Sequence, residues 1–309
     1  MAVRVTLPWR GIPDEGQPVA VSVSRRVRRR KLWALGAVVL VAVAAILLAA
    51  ALHKSKPPPL PPPPKIVRVT IPEGETRGQI ARIAVAKGLS GSYLAAARRS
   101  SLLDPAHYGA PAGTPNLEGF LFPATYELYA GSPARRLVAE QLQAFEENFG
   151  PAEIRRAREL HITPYQLLIV ASMVEREALL TRDRPKVAAV IYNRLRLGMA
   201  LGIDATIRYA LNDFSAPLTE AQLQTNSPYN TRIHVGLPPT PISNPGVAAI
   251  EAAAHPAHVP YLYYVNGADG CGDLVFSTSS AEFEHNAAAY NEAVARNGGH
   301  EPACRKRRG

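Results

Sequence analysis

Leu167–Leu180 reads LLIVASMVEREALL, with one carboxylate set inside an otherwise apolar helical face, and the rest of the chain is organised around it. Thr163 supplies an N-cap and Pro164 a first-turn proline, so the spacing predicts a helix from Pro164 to about Leu180. At roughly 100° per residue from Leu167, Ala171 falls near about 40°, Glu175 near about 80°, Leu168 near about 100° and Val174 near about 340°. Glu175 therefore shares the apolar face. Glu177 lies roughly 160° around the helix from it, so the two carboxylates do not serve one site from this segment.

The chain has 309 residues, enough for a domain-sized core, and its 28 prolines indicate that part of it is not packed. The net charge of +10 looks at first like a nucleic-acid signal. Its location removes that reading. Residues 1–56 hold ten Lys/Arg against two Asp/Glu, and Arg305, Lys306, Arg307 and Arg308 add four cations, whereas residues 57–304 hold 21 Lys/Arg against 23 Asp/Glu. The folded part is close to neutral, so no nucleic-acid partner is expected. The two cysteines, Cys271 and Cys304, make no metal framework, but they can pair if they face an oxidising space.

Residues 1–31 read as a disordered basic segment ending in Arg25, Arg26, Arg28, Arg29, Arg30 and Lys31. Leu32–Leu52 follows without a charge and is long enough to span about 30 Å of hydrocarbon. Eight Lys/Arg precede it and two, Lys54 and Lys56, follow closely, so the positive-inside bias keeps the N-terminus cytoplasmic and the remainder outside. A cleaved signal peptide is the rival, disfavoured by the long apolar stretch and the long N-terminal region. Residues 53–65 form a proline-rich linker whose run at 57–64 should extend as polyproline II over roughly 25 Å.

Ile66–Ile71 reads as a strand, Pro72–Glu73–Gly74 as a turn, and two short helices complete a strand–helix–helix module over 66–100. Residues 101–297 form the main domain, and 298–309 a basic tail. Within the main domain, LEGFLFPATYEL at 117–128 either lines a groove with Phe120, Phe122 and Tyr126 or contributes core, and for Phe120 and Phe122 core is preferred. Helices are expected at Ser132–Phe149, Ala152–Leu160, Pro185–Leu197, Val247–His255 and Ser280–Asn297. Tyr261–Asn266 and Leu274–Ser277 should make a hairpin. Asn193 either orients a partner or caps a loop. The fold class is α+β.

A buried carboxylate without a paired base favours its protonated form, which suits a general acid for glycosidic cleavage. An ordinary hydrolase needs a second carboxylate across the scissile bond, and Asp204 is the only nearby candidate. The structural alternative is an ion pair between Glu175 and an arginine, Arg194 or Arg208. There is no GxSxG, HExxH, P-loop or dinucleotide loop, and the eight histidines lack ligand spacing.

The runs ASMVEREA, VAAVIYNRLRLGM, SPYNTRIHVGLPPTPISNPG, AAAHPA and FSTSSAEFEHN, preceded by LEGFLFPATYEL, closely resemble the YceG-like endolytic murein transglycosylase family. The resemblance implies a membrane-anchored lytic transglycosylase with an extracytoplasmic catalytic domain, a LysM-like module at 66–100, peptidoglycan as substrate, cell-wall synthases as candidate partners, and no cofactor or metal. It implies that Glu175 is the catalytic residue, that Tyr229, Asn230 and Thr231 bind or orient the sugar, and that Asn193, Asp204 and His285 are lesser substrate contacts. The implied product is a 1,6-anhydro end, and the implied role is termination of nascent strands. Gly202–Ile203–Asp204–Ala205 stands where the family commonly has Gln-Ser-Asp-Pro, and Ala124 where it often has Asp. The alternative from another class is an inactive peptidoglycan-binding scaffold for cell-wall synthases.

Overall fold

The computed structural model describes residues 24–52, 64–215 and 217–304. The readings of the first 23 residues, of the prolines up to residue 63 and of the last five residues lie outside the described residues. The chain divides into two compact units, residues 1–62 and 63–309.

In the first unit, helix α1 covers Ser24–Leu52. It begins before the predicted Leu32 because Arg and Lys are good helix formers and continue the apolar run backwards. Within it Arg30–Ala51 is long and apolar enough to cross a membrane, and its side chains are exposed.

The second unit is built around α6, Pro164–Glu177. Thr163 and Gln166 form a reciprocal capping box: the threonine Oγ1 accepts the Gln166 N–H at 3.1 Å, and the Gln166 Oε1 accepts the Thr163 N–H at 2.9 Å. Every residue from Leu167 to Val174 is buried, Ile169 included, so the helix is enclosed on all sides rather than on one face. α7 (Arg184–Arg196), α10 (Val247–Ala254), α5 (Pro151–Glu159) and α8 (Asp204–Leu211) pack around it. α6 ends at Glu177, three residues before the expected Leu180, because Ala178 leaves helical geometry at φ −110° and ψ 107°. A buried methionine or leucine cut to alanine in such a setting costs about 2–5 kcal/mol.

Strand β1, Ile66–Thr70, pairs antiparallel with β2, Thr125–Tyr129, in the register Ile66 to Tyr129 through Thr70 to Thr125. The partner of β1 thus lies outside residues 66–100. Helices α2 (Arg77–Ala86) and α3 (Tyr93–Ala96) follow β1, and α4 (Ala134–Asn148) follows β2. The aromatic loop takes the core reading preferred for Phe120 and Phe122 over the groove. Phe120 and Phe122 are buried, Phe120 sits against Tyr108, Phe145 and Tyr165 with centroids 5.0–6.0 Å apart, and the buried Tyr126 hydroxyl donates to the Phe122 carbonyl. LEGFLFP anchors the core because its aromatic edges meet ring faces in tilted and edge-on pairs.

A four-residue helix α9, Glu220–Leu223, precedes the long loops. β3 (Tyr263–Asn266) and β4 (Leu274–Ser277) form the expected hairpin, and α11 (Ser280–Arg296) packs on it. Cys271 in the hairpin turn is disulfide-bonded to Cys304 beyond α11.

Candidate active site

Glu175 lies in the last turn of α6, where the buried helix reaches the edge of the core. Its side chain is 5 % exposed, and both carboxyl oxygens have partners. Oε1 accepts from Arg184 Nη2 at 2.8 Å, while Oε2 accepts the Gly246 N–H at 3.0 Å and lies 3.5 Å from Arg184 Nη1. The arginine that pairs with Glu175 is therefore Arg184, not Arg194 or Arg208. Arg194 holds the carbonyls of Leu262 and Leu201 and stacks over Tyr263. Burial raises the Glu175 carboxyl above the ordinary carboxylate range; the Gly246 N–H and Arg184 pull it down, and a second carboxylate, Glu73, pushes it up.

Glu73 comes from the Pro72–Gly74 turn after β1. Its Oε2 is 3.8 Å from Arg184 Nη1 and its side chain is half exposed. Gly74 adopts φ +79°, a left-handed conformation that favours glycine, while a Cβ there would make only ordinary contact with Glu175 Cγ at 3.4 Å. The turn is stitched down on both sides: the Gly74 N–H donates to the Asn244 carbonyl at 2.9 Å, and Arg176 Nη1 donates to the Gly74 carbonyl at 3.3 Å.

Asn244, fully buried, is the hub that holds three segments together. Its Oδ1 accepts the N–H groups of Gly119 and Leu121, and its Nδ2 donates to the Glu75 carbonyl and to Glu118 Oε1. Ser172 of α6 fixes the same loop, accepting the Ile242 N–H on Oγ and the Ser243 hydroxyl on its carbonyl. Asn244 occupies the PISNPG part of the run SPYNTRIHVGLPPTPISNPG, in which sequence reading singles out no residue beyond Tyr229, Asn230 and Thr231.

Glu175 and Glu177 face different surroundings, as the helical spacing predicts. Glu177 accepts the Tyr264 hydroxyl of β3 at 2.8 Å, and Asp204 lies on its side of the helix, adding to the burial that raises its carboxyl. Asp204 is thus not the neighbour of Glu175. It is half exposed and paired with Arg232 at 2.7 Å. The second carboxylate beside Glu175 is Glu73, whose only sequence signal was a turn.

The remaining predicted residues are spread widely. The Asn193 amide donates to the carbonyls of Val259 and Tyr261 at 2.9 and 2.8 Å and accepts from Arg196, which is the loop-holding alternative. Asn230 is buried, with its Nδ2 on the Leu223 and Thr225 carbonyls and its Oδ1 on the Arg232 N–H. Thr231 is buried and accepts the Ile203 N–H at 3.0 Å. Tyr229 alone of the three reaches a cavity, about 460 Å³ in volume, shared with Tyr209, Glu118 and Arg77; its hydroxyl is 2.9 Å from Thr240 Oγ1. His285 is on the exposed face of α11. Among the described residues no group of three His, Cys, Asp or Glu side chains gathers as a metal set.

The sequence pattern of the YceG-like family matches residues 45–289, a stretch that contains every residue of this site. The chain belongs to the YceG-like family. It is 36 % identical over 176 residues to an endolytic murein transglycosylase of Bacillus subtilis, covering 56 % of this chain and 47 % of that protein. It is 30 % identical over 248 residues to one of Streptococcus pneumoniae, covering 73 % of this chain and 45 % of that protein. The chain thus spans just under half the length of the curated relatives it matches. A crystal structure of a YceG-like protein from Listeria monocytogenes superposes with a TM-score of 0.63 at 31 % identity, covering 71 % of this chain and 75 % of that one.

Proposed function

We propose that this YceG-like chain is an endolytic peptidoglycan lytic transglycosylase that cuts the MurNAc–GlcNAc bond within glycan strands and leaves 1,6-anhydro-MurNAc ends, terminating nascent strands. The observation that carries the reading is Glu175: a carboxyl raised by burial, yet held by a guanidinium and a backbone N–H that stabilise it once ionised. One group can then act as acid and afterwards as base. Glu175 gives its proton to the glycosidic oxygen as the C1–O bond breaks, and the proton leaves on the GlcNAc 4-hydroxyl. The muramoyl 6-hydroxyl oxygen closes on C1, and its proton returns to Glu175. No water is consumed, so the reaction needs no second carboxylate to activate one.

Glu73 raises the hydrolase alternative, because retaining glycosidases carry paired carboxylates about 5–5.5 Å apart. Here the two carboxylates share the Arg184 guanidinium, which binds Glu175 at 2.8 Å and lies 3.8 Å from Glu73, an arrangement that favours Glu73 acting on the ion pair over its acting as a separate nucleophile. Tyr229, with its ring on the cavity beside Tyr209, is the sugar-stacking candidate, and Asn230 and Thr231 shape the loop that presents it. Asp204 and His285 remain outer contacts. Arg30–Ala51 supports a single-pass anchor with a cytoplasmic N-terminus, the Cys271–Cys304 disulfide supports an oxidising space for the second unit, and the strand–helix–helix order after residue 66 supports a LysM-like, wall-binding module.

Isolated glycan strands incubated with the full chain in detergent micelles, then analysed by mass spectrometry, test the reading. Anhydro ends that vanish in Glu175→Gln are expected. Reducing ends would make the chain a hydrolase, and strand binding without cleavage would make it a scaffold; either result overturns the proposal.

A further inference from the structure

Glu73 and Glu175 share two partners. Arg184 Nη1 stands 3.5 Å from Glu175 Oε2 and 3.8 Å from Glu73 Oε2, so one guanidinium edge is divided between the two carboxylates while Nη2 stays on Glu175. Gly246 is the second shared group. Its N–H binds Glu175, and a Cβ on the same residue would overlap the Glu73 carboxyl, so Glu73 occupies the space a side chain would take. Gly246 has φ −83°, so its backbone does not call for glycine; what the missing Cβ leaves is the room that the flexible Glu73 carboxyl takes. Glu73 is 49 % exposed whereas Glu175 is 5 % exposed. An exposed glutamate with no partner of its own at shorter range than Arg184 is thus held over the acid by a turn that Gly74, Arg176 and Asn244 pin in place.

We infer that Glu73 is a positioning residue for the reaction: it takes part of Arg184 away from Glu175 and sets a second carboxylate beside the acid, so that Glu175 is not locked into a full bidentate ion pair. The inference rests on Glu175 being the general acid. A buried carboxyl with a full bidentate arginine ionises readily and stops donating; dividing the guanidinium restores the donor. The charged groups that act on Glu175 are Arg184 from α7, Glu73 from the turn and Arg176 from its own helix. Asp204 of α8 acts instead on Glu177, Arg208 of α8 on Asp213, and Arg156 of α5 pairs with Glu159; Glu251 of α10 is exposed. Of the two cations that act on Glu175, Arg184 is the one shared between the two anions, and Glu73 is the more exposed anion.

The test compares the full chain with Glu73→Gln and Gly246→Ala in micelles, following anhydro ends across pH 4–9. Removing the Glu73 charge is expected to move the alkaline limb of the rate profile to lower pH, by about one unit, which is a tenfold loss on the alkaline side and little loss at the acidic plateau. Gly246→Ala pushes the Glu73 carboxyl aside and should move the limb the same way. A uniform loss at every pH, with an unmoved limb, marks a structural role and overturns the inference. A ¹³C titration of the Glu175 carboxyl in the parent and in Glu73→Gln reads the same effect without turnover. If the parent leaves strands uncut but the titration shifts, the function reading fails while the effect of Glu73 on the Glu175 carboxyl stands apart from it; cleavage with an unshifted titration overturns the inference and leaves the function reading in place.

Discussion

Glu118→Gln offers a measurement of how buried charge limits this fold. Glu118 is 2 % exposed and accepts from the Arg77 N–H at 2.9 Å, the Asn244 amide at 2.8 Å and the Tyr209 hydroxyl at 3.2 Å. Burial pushes its carboxyl from 4.5 up to about 7 against the pull of those donors. The sign follows from proton linkage: the folded state binds the Glu118 proton more tightly than the unfolded chain does. That stabilisation is fully present below pH 4.5 and is lost as pH rises through about 7, a change worth about 3 kcal/mol. Glutamine keeps an oxygen for the Arg77 and Asn244 donors and has no charge to desolvate. The stability of the parent minus that of the variant should therefore fall by about 3 kcal/mol between pH 4 and pH 8. With a urea slope of about 3 kcal/mol/M, the midpoints of the two should move relative to each other by about 1 M. Urea unfolding of both proteins in micelles at four pH values reads this directly. A difference that stays constant with pH would refute the reasoning, because Glu118 would then ionise in the ordinary carboxylate range.

Asn244→Ala strands the buried N–H groups of Gly119 and Leu121, while the Glu75 carbonyl keeps the residue 244 N–H and Glu118 Oε1 keeps the Arg77 N–H, so it should cost about 3 kcal/mol in urea unfolding; a loss below about 1 kcal/mol would show that water replaces the amide. Asn193→Ala frees the Val259 and Tyr261 carbonyls and is expected to lower stability by about 2 kcal/mol with KM for glycan strands unchanged; a raised KM would restore a sugar-binding role. Cys271→Ser opens a link between residues 33 apart in sequence and should lower stability by about 3 kcal/mol, an effect that reductant should reproduce in the parent and not in the variant.

The helix bearing Glu175 was legible because capping and periodicity are local: Thr163, Pro164 and the apolar spacing specify it without reference to any neighbour. The hairpin and most helices were readable for the same reason. What escaped were pairings between distant segments. β1 was visible as a strand, but its partner β2 is embedded in an aromatic loop whose core role masked its alternation. α8 was missed because Asp204 and Thr206 looked like loop residues, while in the fold the Thr206 hydroxyl turns back onto the Ile203 carbonyl within the first turn. Arg184, Glu73 and Gly246 carry no local pattern: a charge in a short connector, a glutamate in a turn and a glycine before a helix each have commoner explanations. Of the three residues of the SPYNT motif expected to meet the sugar, Tyr229 lines a cavity, whereas Asn230 and Thr231 satisfy buried backbone groups that the turn would otherwise leave unpaired.

The turn at residues 73–75 has a kinetic consequence. It meets Arg176 across 102 residues and Asn244 across 169, so the acid's surroundings are closed by the longest-range contacts of the site. Loop closure over such spans comes after local helices have formed. During synthesis from the N-terminus, α6 with Glu175 emerges roughly 70 residues before Gly246 does, since the two are 71 positions apart. Until residues 244–246 arrive, Glu175 lacks its backbone donor, and the 73–75 turn lacks its clasp. A chain ending before residue 244 also lacks α10, which covers one side of α6, and is expected to form no anhydro ends. On this order of emergence, the surroundings of Glu175 are completed by the last of its loops to arrive.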